Sequence, residues 1–236
     1  MKTSQLRIIF GFCLLLVTLS GIVGCSSTKT LMTAKPIMEV TTFNINVDVA
    51  PQAFSKLDAQ VESNFTSRQS GFIKRQSGID DTGNYVVVVY WESMADADAS
   101  MSKFMDDASV GNYAKMIDPS SMKMSRYEMD KAFDAKDSRF VEIMSFDVKA
   151  NTNMADFNAT NQKVETEFTG KQKGFLQRLT GVNEAGNQVI VVYWTDEELS
   201  NASLQPFMEA PIAKQLMSSM DQSSISMGRY KFLPEK

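Results

Sequence analysis

The chain has 236 residues and not one histidine. That absence removes Ser-His-Asp and Cys-His catalysis, histidine-ligated metal sites and a haem held by a proximal histidine. Cysteine is almost as scarce: Cys13 and Cys25 are the only two, both near the start. No phosphate-cradling glycine loop runs into a lysine, and no dinucleotide fingerprint occurs, so nothing points to nucleotide chemistry. Basic residues never form a block and the formal net charge is −4, which argues against a nucleic-acid partner. No cofactor and no metal are expected.

What is present begins with an address. In Met1 to Gly24, Lys2 and Arg7 make a positive n-region, Ile8 to Val17 is mostly apolar, and small residues follow. This is a secretory signal, too short and wrongly flanked for a spanning helix. Its end, Ile22-Val23-Gly24-Cys25, resembles the lipobox of bacterial lipoproteins. The resemblance implies cleavage before Cys25, which then carries the lipid as first mature residue. Several acyl chains on one cysteine hold a membrane far more firmly than one. Ser26 follows where an Asp would suggest retention at the inner membrane, so the expected location is the outer membrane, facing the periplasm. With Cys13 discarded and Cys25 acylated, the mature chain has no thiol and no disulfide. Removing Lys2 and Arg7 from the 24 basic residues leaves 22 against 28 acidic ones, a net charge of −6. Residues 25–36, polar and rich in Ser, Thr and Lys, read as a tether.

The organising feature is a repeat. Gly71 to Trp91, GFIKRQSGIDDTGNYVVVVYW, returns 103 positions later as GFLQRLTGVNEAGNQVIVVYW, Gly174 to Trp194. Each copy reads as a β-hairpin around a polar turn, Asp80 to Asn84 and Asn183 to Asn187. The second strand of each is an unbroken apolar run, Val86 to Trp91 and Val189 to Trp194, which predicts cover on both faces. Helices can supply one cover; the other copy of the motif is the candidate for the second.

Around the hairpins the order is the same in both halves. Glu39 to Val49 alternates as a strand, with Phe43, Ile45, Val47 and Val49 on one side. Pro51 opens a helix with Phe54, Leu57, Val61 and Phe65 close to one face. Met94 to Met105 is a second helix, Asn112 to Ile117 a short extra turn, and Met122 to Met129 a last strand. In the second half the counterparts are a strand at Val141 to Ala150 and a helix carrying Phe157, Val164 and Phe168. A second helix follows at Glu197 to Met208, bent or ended by Pro206, and a last strand at Ser224 to Phe232. Residues 37–130 and 138–234 are therefore two β-α-β-β-α-β repeats of ferredoxin-like order, joined by the charged stretch Asp130 to Ser138.

That order, with G-F-x-x-R-x-x-G…G-N…V-V-Y-W, resembles the antibiotic biosynthesis monooxygenase-like group. The resemblance implies an α+β fold in which two sheets face each other as a dimeric α+β barrel with helices outside. Two fused copies imply an intramolecular pseudo-dimer. The haem-degrading members of the group use a histidine ligand, so that activity does not carry over. The cofactor-independent monooxygenases of the group enclose an aromatic, easily oxidised substrate.

By that resemblance Tyr90, Trp91, Tyr193 and Trp194 are candidate pocket linings for a small apolar or aromatic ligand. The competing reading is that they fill core, as large aromatics at the end of a buried strand usually do. Arg75 and Arg178 are candidates for an anionic ligand, against pairing with Glu62 and Glu165 or simple exposure. The repeated glycines are expected to serve turn geometry. Places where one half departs from the other, such as Tyr85 against Gln188 and Lys103 against Pro206, form no recognisable acid/base pair. The close methionine pairs Met101/Met105, Met122/Met124 and Met217/Met220 suit core packing better than a thioether site for Cu(I). The expected function is a lipid-anchored small-ligand-binding or accessory protein. A cofactor-free monooxygenase and a non-catalytic interaction scaffold are the alternatives.

Overall fold

The computed structural model describes residues 35–234. The signal segment, Cys25 and all but the last two residues of the tether lie outside the described residues.

Eight strands close into one barrel. The first half contributes β1 (Ile37–Phe43), β2 (Phe72–Ile79), β3 (Tyr85–Trp91) and β4 (Lys123–Met129). The second contributes β5 (Phe140–Phe146), β6 (Phe175–Val182), β7 (Gln188–Trp194) and β8 (Ser226–Phe232). Around the barrel the order is β1-β3-β2-β8-β5-β7-β6-β4, so each half is a four-stranded antiparallel sheet and two seams join the halves. Outside lie α1 (Pro51–Asn64), α2 (Met94–Phe104) and α3 (Gly111–Ala114) of the first half. Their counterparts are α4 (Met154–Lys163), α5 (Glu197–Glu209) and α6 (Pro211–Ser218). Among the described residues no helix is long and apolar enough to cross a membrane.

Local chemistry explains the ends. Pro51 stands in the first turn of α1, where a missing N–H costs nothing. The side chains of Ser93, Asn153 and Asp196 cap α2, α4 and α5 by accepting from first-turn N–H groups. Pro206 sits inside α5 without ending it; the helix stops at Glu209 and Pro211 begins α6. In the β2–β3 turn the Asp80 carboxylate accepts from the N–H groups of Thr82 and Asn84, both at 2.9 Å, and Gly83 takes a left-handed φ of 89°.

Two expected strands are shorter than their patterns suggested. β1 ends at Phe43, not Val49. Beyond it, Ile45 bridges to Ile117, Asn46 N–H donates to Met116 O at 2.8 Å, and Val47 is fully exposed. The alternation there serves the connection after α3, not the sheet. β5 stops at Phe146 in the same way, with Val148 bridging to Met220.

The double cover expected for the Val runs is present. Val86, Val88 and Tyr90 of β3 meet Val189, Val191 and Tyr193 of β7 in one core inside the barrel. The alternate residues Tyr85, Val87, Val89 and Trp91 pack outward with Phe54, Val61 and Ala97 beneath the helices, and Trp194 does so in the second half.

The seams explain a pair of glycines that turn geometry does not. Gly78 and Gly181 lie within strands and each faces the other half: Gly78 pairs with Phe232 and Gly181 with Met129. A Cβ on Gly181 would stand 2.9 Å from the Glu128 carbonyl, and one on Gly78 3.0 Å from that of Lys231. Glycine at these two strand positions permits backbones to approach closely enough to close the barrel. Each seam carries an equivalent hydrogen bond, Asp130 N–H to Thr180 O and Leu233 N–H to Ser77 O, both 2.8 Å.

The charged join also does more than connect. Phe133 and Ala135 turn into the barrel core. The Phe133 ring stacks on Tyr90 at 4.8 Å and meets Tyr193 edge-on at 5.2 Å, plugging the end of the barrel where β1 begins.

Candidate functional site

The four aromatic candidates separate by face. Neighbouring residues in a strand point to opposite sides, so Tyr90 and Tyr193 look inward while Trp91 and Trp194 look outward. The two tyrosines meet across the halves, hydroxyl to hydroxyl, at 2.6 Å. Tyr90 also donates to Met38 Sδ at 3.3 Å. The arrangement that uses every proton is Tyr193 O–H to Tyr90 O, then Tyr90 O–H to Met38. Burial pushes both phenols above their usual pKa; the contact with Tyr193 adds to this for Tyr90, while the bond to Tyr90 opposes it for Tyr193.

Trp91 and Trp194 are 2% and 1% exposed. Each indole packs edge-on against the phenylalanine that begins the repeated hairpin, Phe72 at 6.1 Å and Phe175 at 6.2 Å. Neither buried indole N–H meets an acceptor among the described residues. The structure therefore brings the tyrosines together and keeps the tryptophans apart, one beneath the helices of each half.

The arginines are buried on the outer faces of β2 and β6, and their expected carboxylate partners are replaced. Arg75 grips Asp58 of α1 through two contacts, Nη2–Oδ1 at 2.5 Å and Nη1–Oδ2 at 3.1 Å. Burial pulls its pKa down, but the Asp58 charge and hydrogen bonds more than offset this, so the net shift is upward. Glu62, one helical turn further on, adds only a weaker field. Arg178 is only 2% exposed and reaches Asn161, donating to Oδ1 at 2.5 Å and to the backbone oxygen at 3.3 Å. Glu165 pairs instead with Lys131 at 2.7 Å. With no carboxylate against it, burial lowers Arg178 to about 10, opposed by the more distant Glu165 and Asp130. The halves thus differ by coupled changes: Asp58 and Tyr113 in the first answer to Asn161 and Leu216 in the second. Beside Asn161 the helix continues as a π-helical turn, Val164–Phe168, a form the first half lacks.

Two open depressions occur elsewhere. One of about 410 Å³ lies outside the barrel, where Asp98 and Arg126 face Asn183 and Glu184 of the β6–β7 turn, with Met94 and Met124 beside them. Arg126 is already engaged by Glu39 at 2.6 Å and Asp98 at 2.5 Å. Burial raises the Glu39 carboxyl, with Arg126 opposing the shift. The second, about 150 Å³, occupies the barrel end opposite Phe133. Its lining falls into pairs related by the repeat, among them Thr42 with Ser145, Lys123 with Ser226 and Tyr127 with Tyr230. Tyr90, Trp91, Tyr193 and Trp194 line neither depression. Among the described residues no three His, Cys, Asp or Glu side chains gather as a metal site. The methionine pairs divide: Met105, Met122 and Met124 are exposed, whereas Met220 is wholly buried in the second-half core.

Sequence reasoning missed Phe133 and the hydroxyl-rich barrel end. The first had a signal, a lone aromatic in a polar join. The second was written in the inward positions of β1, β4, β5 and β8, where apolar residues give way to Thr42, Ser125, Ser145 and Ser226 at one end.

No family model and no curated protein sequence matches the chain. Solved structures do. A candidate monooxygenase of Fusobacterium nucleatum subsp. nucleatum superposes with a TM-score of 0.63 at 14% identity, over 87% of this chain and 94% of its own. An anthrone oxidase-like protein gives 0.62 at 12% identity, over 85% and 92%. Chlorite dismutase from Candidatus Nitrospira defluvii gives 0.59 at 10% identity, over 85% and 92%. The chain has the monooxygenase-like dimeric α+β barrel fold, with both sheets of the barrel in one polypeptide. At such identities the likeness concerns the fold; fold alone assigns no reaction.

Proposed function

We propose that the protein is a lipid-anchored binding or accessory protein of the bacterial envelope, not an enzyme. Acylated Cys25 holds it at the outer membrane on the periplasmic side. The observation that carries the non-catalytic reading is the packing of the aromatic positions. Tyr90 and Tyr193 spend their hydroxyls on each other and on Met38, and Trp91 and Trp194 are spent on the outer cores. A small apolar or aromatic ligand beside either tryptophan needs the outer helices to part. The open depressions need no such movement. Cys25→Ser tests the anchor: the variant is expected in the soluble fraction or unprocessed, and unchanged mass and membrane fractionation would refute it.

A second reading has one observation in its favour. The two buried indole N–H groups without acceptors stand at equivalent places in both halves, and a buried unpaired donor costs about 1–3 kcal/mol. An oxygenated aromatic substrate inserted between sheet and helices would offer each an acceptor. Oxygen uptake by the purified full chain with a phenolic or anthrone-type substrate, without added cofactor, decides between them; turnover establishes the oxygenase.

A further inference from the structure

We infer that the open end of the barrel binds one small oxyanion. The ammonium of Lys123 supplies the charge, and the hydroxyls of Thr42, Ser125, Ser145, Ser226 and Tyr230 supply the donors. This deepens the binding reading above and names the ligand class for the smaller depression.

All six side chains line the same space of about 150 Å³. Thr42 and Lys123 are cross-strand partners, as are Ser145 and Ser226, so the groups come from both sheets and converge at one rim. The floor is apolar, formed by Val40 and Ile143. Among the described residues none of the six makes a side-chain hydrogen bond or an ion pair. Elsewhere the described Ser and Thr hydroxyls commonly close turns or cap helices, as those of Ser93, Ser120 and Ser223 do. Thr42, Ser125 and Ser145 are half-buried and Tyr230 is buried, while Lys123 and Ser226 stand exposed at the rim; buried and half-buried polar groups with no protein partner are met by water or by a ligand.

The charge chooses the ligand. No carboxylate lines the space, so a cation finds no counter-charge and meets Lys123 instead. An apolar ligand would strand the hydroxyls. An oxyanion takes an ion pair from the ammonium and hydrogen bonds from the hydroxyls at once. One opposing charge that reaches the site is Asp80, whose field contributes to the raised Tyr230 pKa after burial. Its carboxylate is already held by Thr82 and Asn84 in the turn. The volume is about five times the share of one liquid water, roughly 30 Å³, which suits phosphate or a short carboxylate.

The stoichiometry follows from broken symmetry. The repeat places Ser226 where the first half has Lys123, so the site holds one ammonium, not two. It also places Gly228 opposite Ser125. A Cβ at 228 would collide with the Tyr230 hydroxyl; its absence lets that phenol fold over the second-half side of the site.

The test is calorimetric titration of the detergent-purified full chain with inorganic phosphate and, separately, acetate. One anion per chain is expected, with Lys123→Met weakening binding at least tenfold and Gly228→Ser, which crowds Tyr230, weakening it as well. Thermal unfolding of Lys123→Met should match the parent, since the side chain is exposed and makes no ion pair among the described residues. Preference for phosphate makes the ligand a tetrahedral oxyanion; preference for acetate makes it a carboxylate. Binding of neither, or binding indifferent to Lys123→Met, overturns the inference. A chain that turns over an aromatic substrate but still takes the anion loses only the non-catalytic reading, so the two failures are distinct.

Discussion

The hydroxyl pair on the barrel axis can be taken apart one atom at a time. Tyr193→Phe removes a single hydrogen bond, and Tyr90 still donates to Met38; the expected cost is about 1 kcal/mol. Tyr90→Phe removes two bonds and leaves the Tyr193 hydroxyl buried with no partner. Its expected cost is larger, about 2–3 kcal/mol, because a stranded hydroxyl adds its desolvation penalty. The double variant strands nothing, so it should cost no more than about Tyr90→Phe alone. The cycle then gives a coupling of about 1 kcal/mol, well outside the additivity expected of independent sites. Urea unfolding followed by the fluorescence of buried Trp91 and Trp194 reads all four proteins. For a domain of this size 1 kcal/mol corresponds to about 2–4 °C in Tm. Equal costs for the single variants would refute the donor order, and strict additivity would refute the bond between the halves.

Two further outcomes follow from the barrel. Gly181→Ala and Gly78→Ala each push a Cβ against a carbonyl of the other half; each should cost about 1–3 kcal/mol as overpacking does, and unchanged unfolding midpoints would mean the seams are looser than described. Alkaline pH should also destabilise the fold. Tyr90 and Tyr193 have folded pKa values raised above 10.0, so their contribution is whole below pH 10 and falls as the unfolded phenols ionise above it. The loss is up to about 1.4 kcal/mol per pH unit for each phenol. Urea midpoints between pH 9 and 11 should fall less steeply in the Tyr90→Phe/Tyr193→Phe protein, and identical slopes would show that these phenols are not the cause.

The barrel was legible because a repeated hairpin with an unbroken apolar strand leaves few solutions. Val86 to Trp91 needs two covers, and the chain contains two sheets and two sets of helices to supply them. What failed were inferences about contacts. Glu62 and Glu165 stand at plausible sequence distances from the arginines, but Asp58 and Asn161 sit one turn earlier on the helices and face the strands. The family resemblance groups Tyr and Trp as pocket linings; strand pleating puts the adjacent Tyr90 and Trp91, and Tyr193 and Trp194, on opposite faces, so the two members of each pair look into different cores. Gly78 looked like its turn neighbours and proved to be a seam residue, because closeness to the other half is a tertiary fact with no local signature. Phe133 was hidden by the charges around it.

The plugged and open ends of the barrel give the protein a polarity. Both Pro36, whose carbonyl accepts from Met129 N–H at 2.9 Å, and the join carrying Phe133 lie at the end where β1 starts. The hydroxyl-lined mouth lies past the other end of that strand, roughly 20 Å away for seven residues. The barrel therefore offers solvent two unlike faces: an aromatic stopper where Phe133 stacks on Tyr90, and a mouth of hydroxyls beside the Lys123 ammonium.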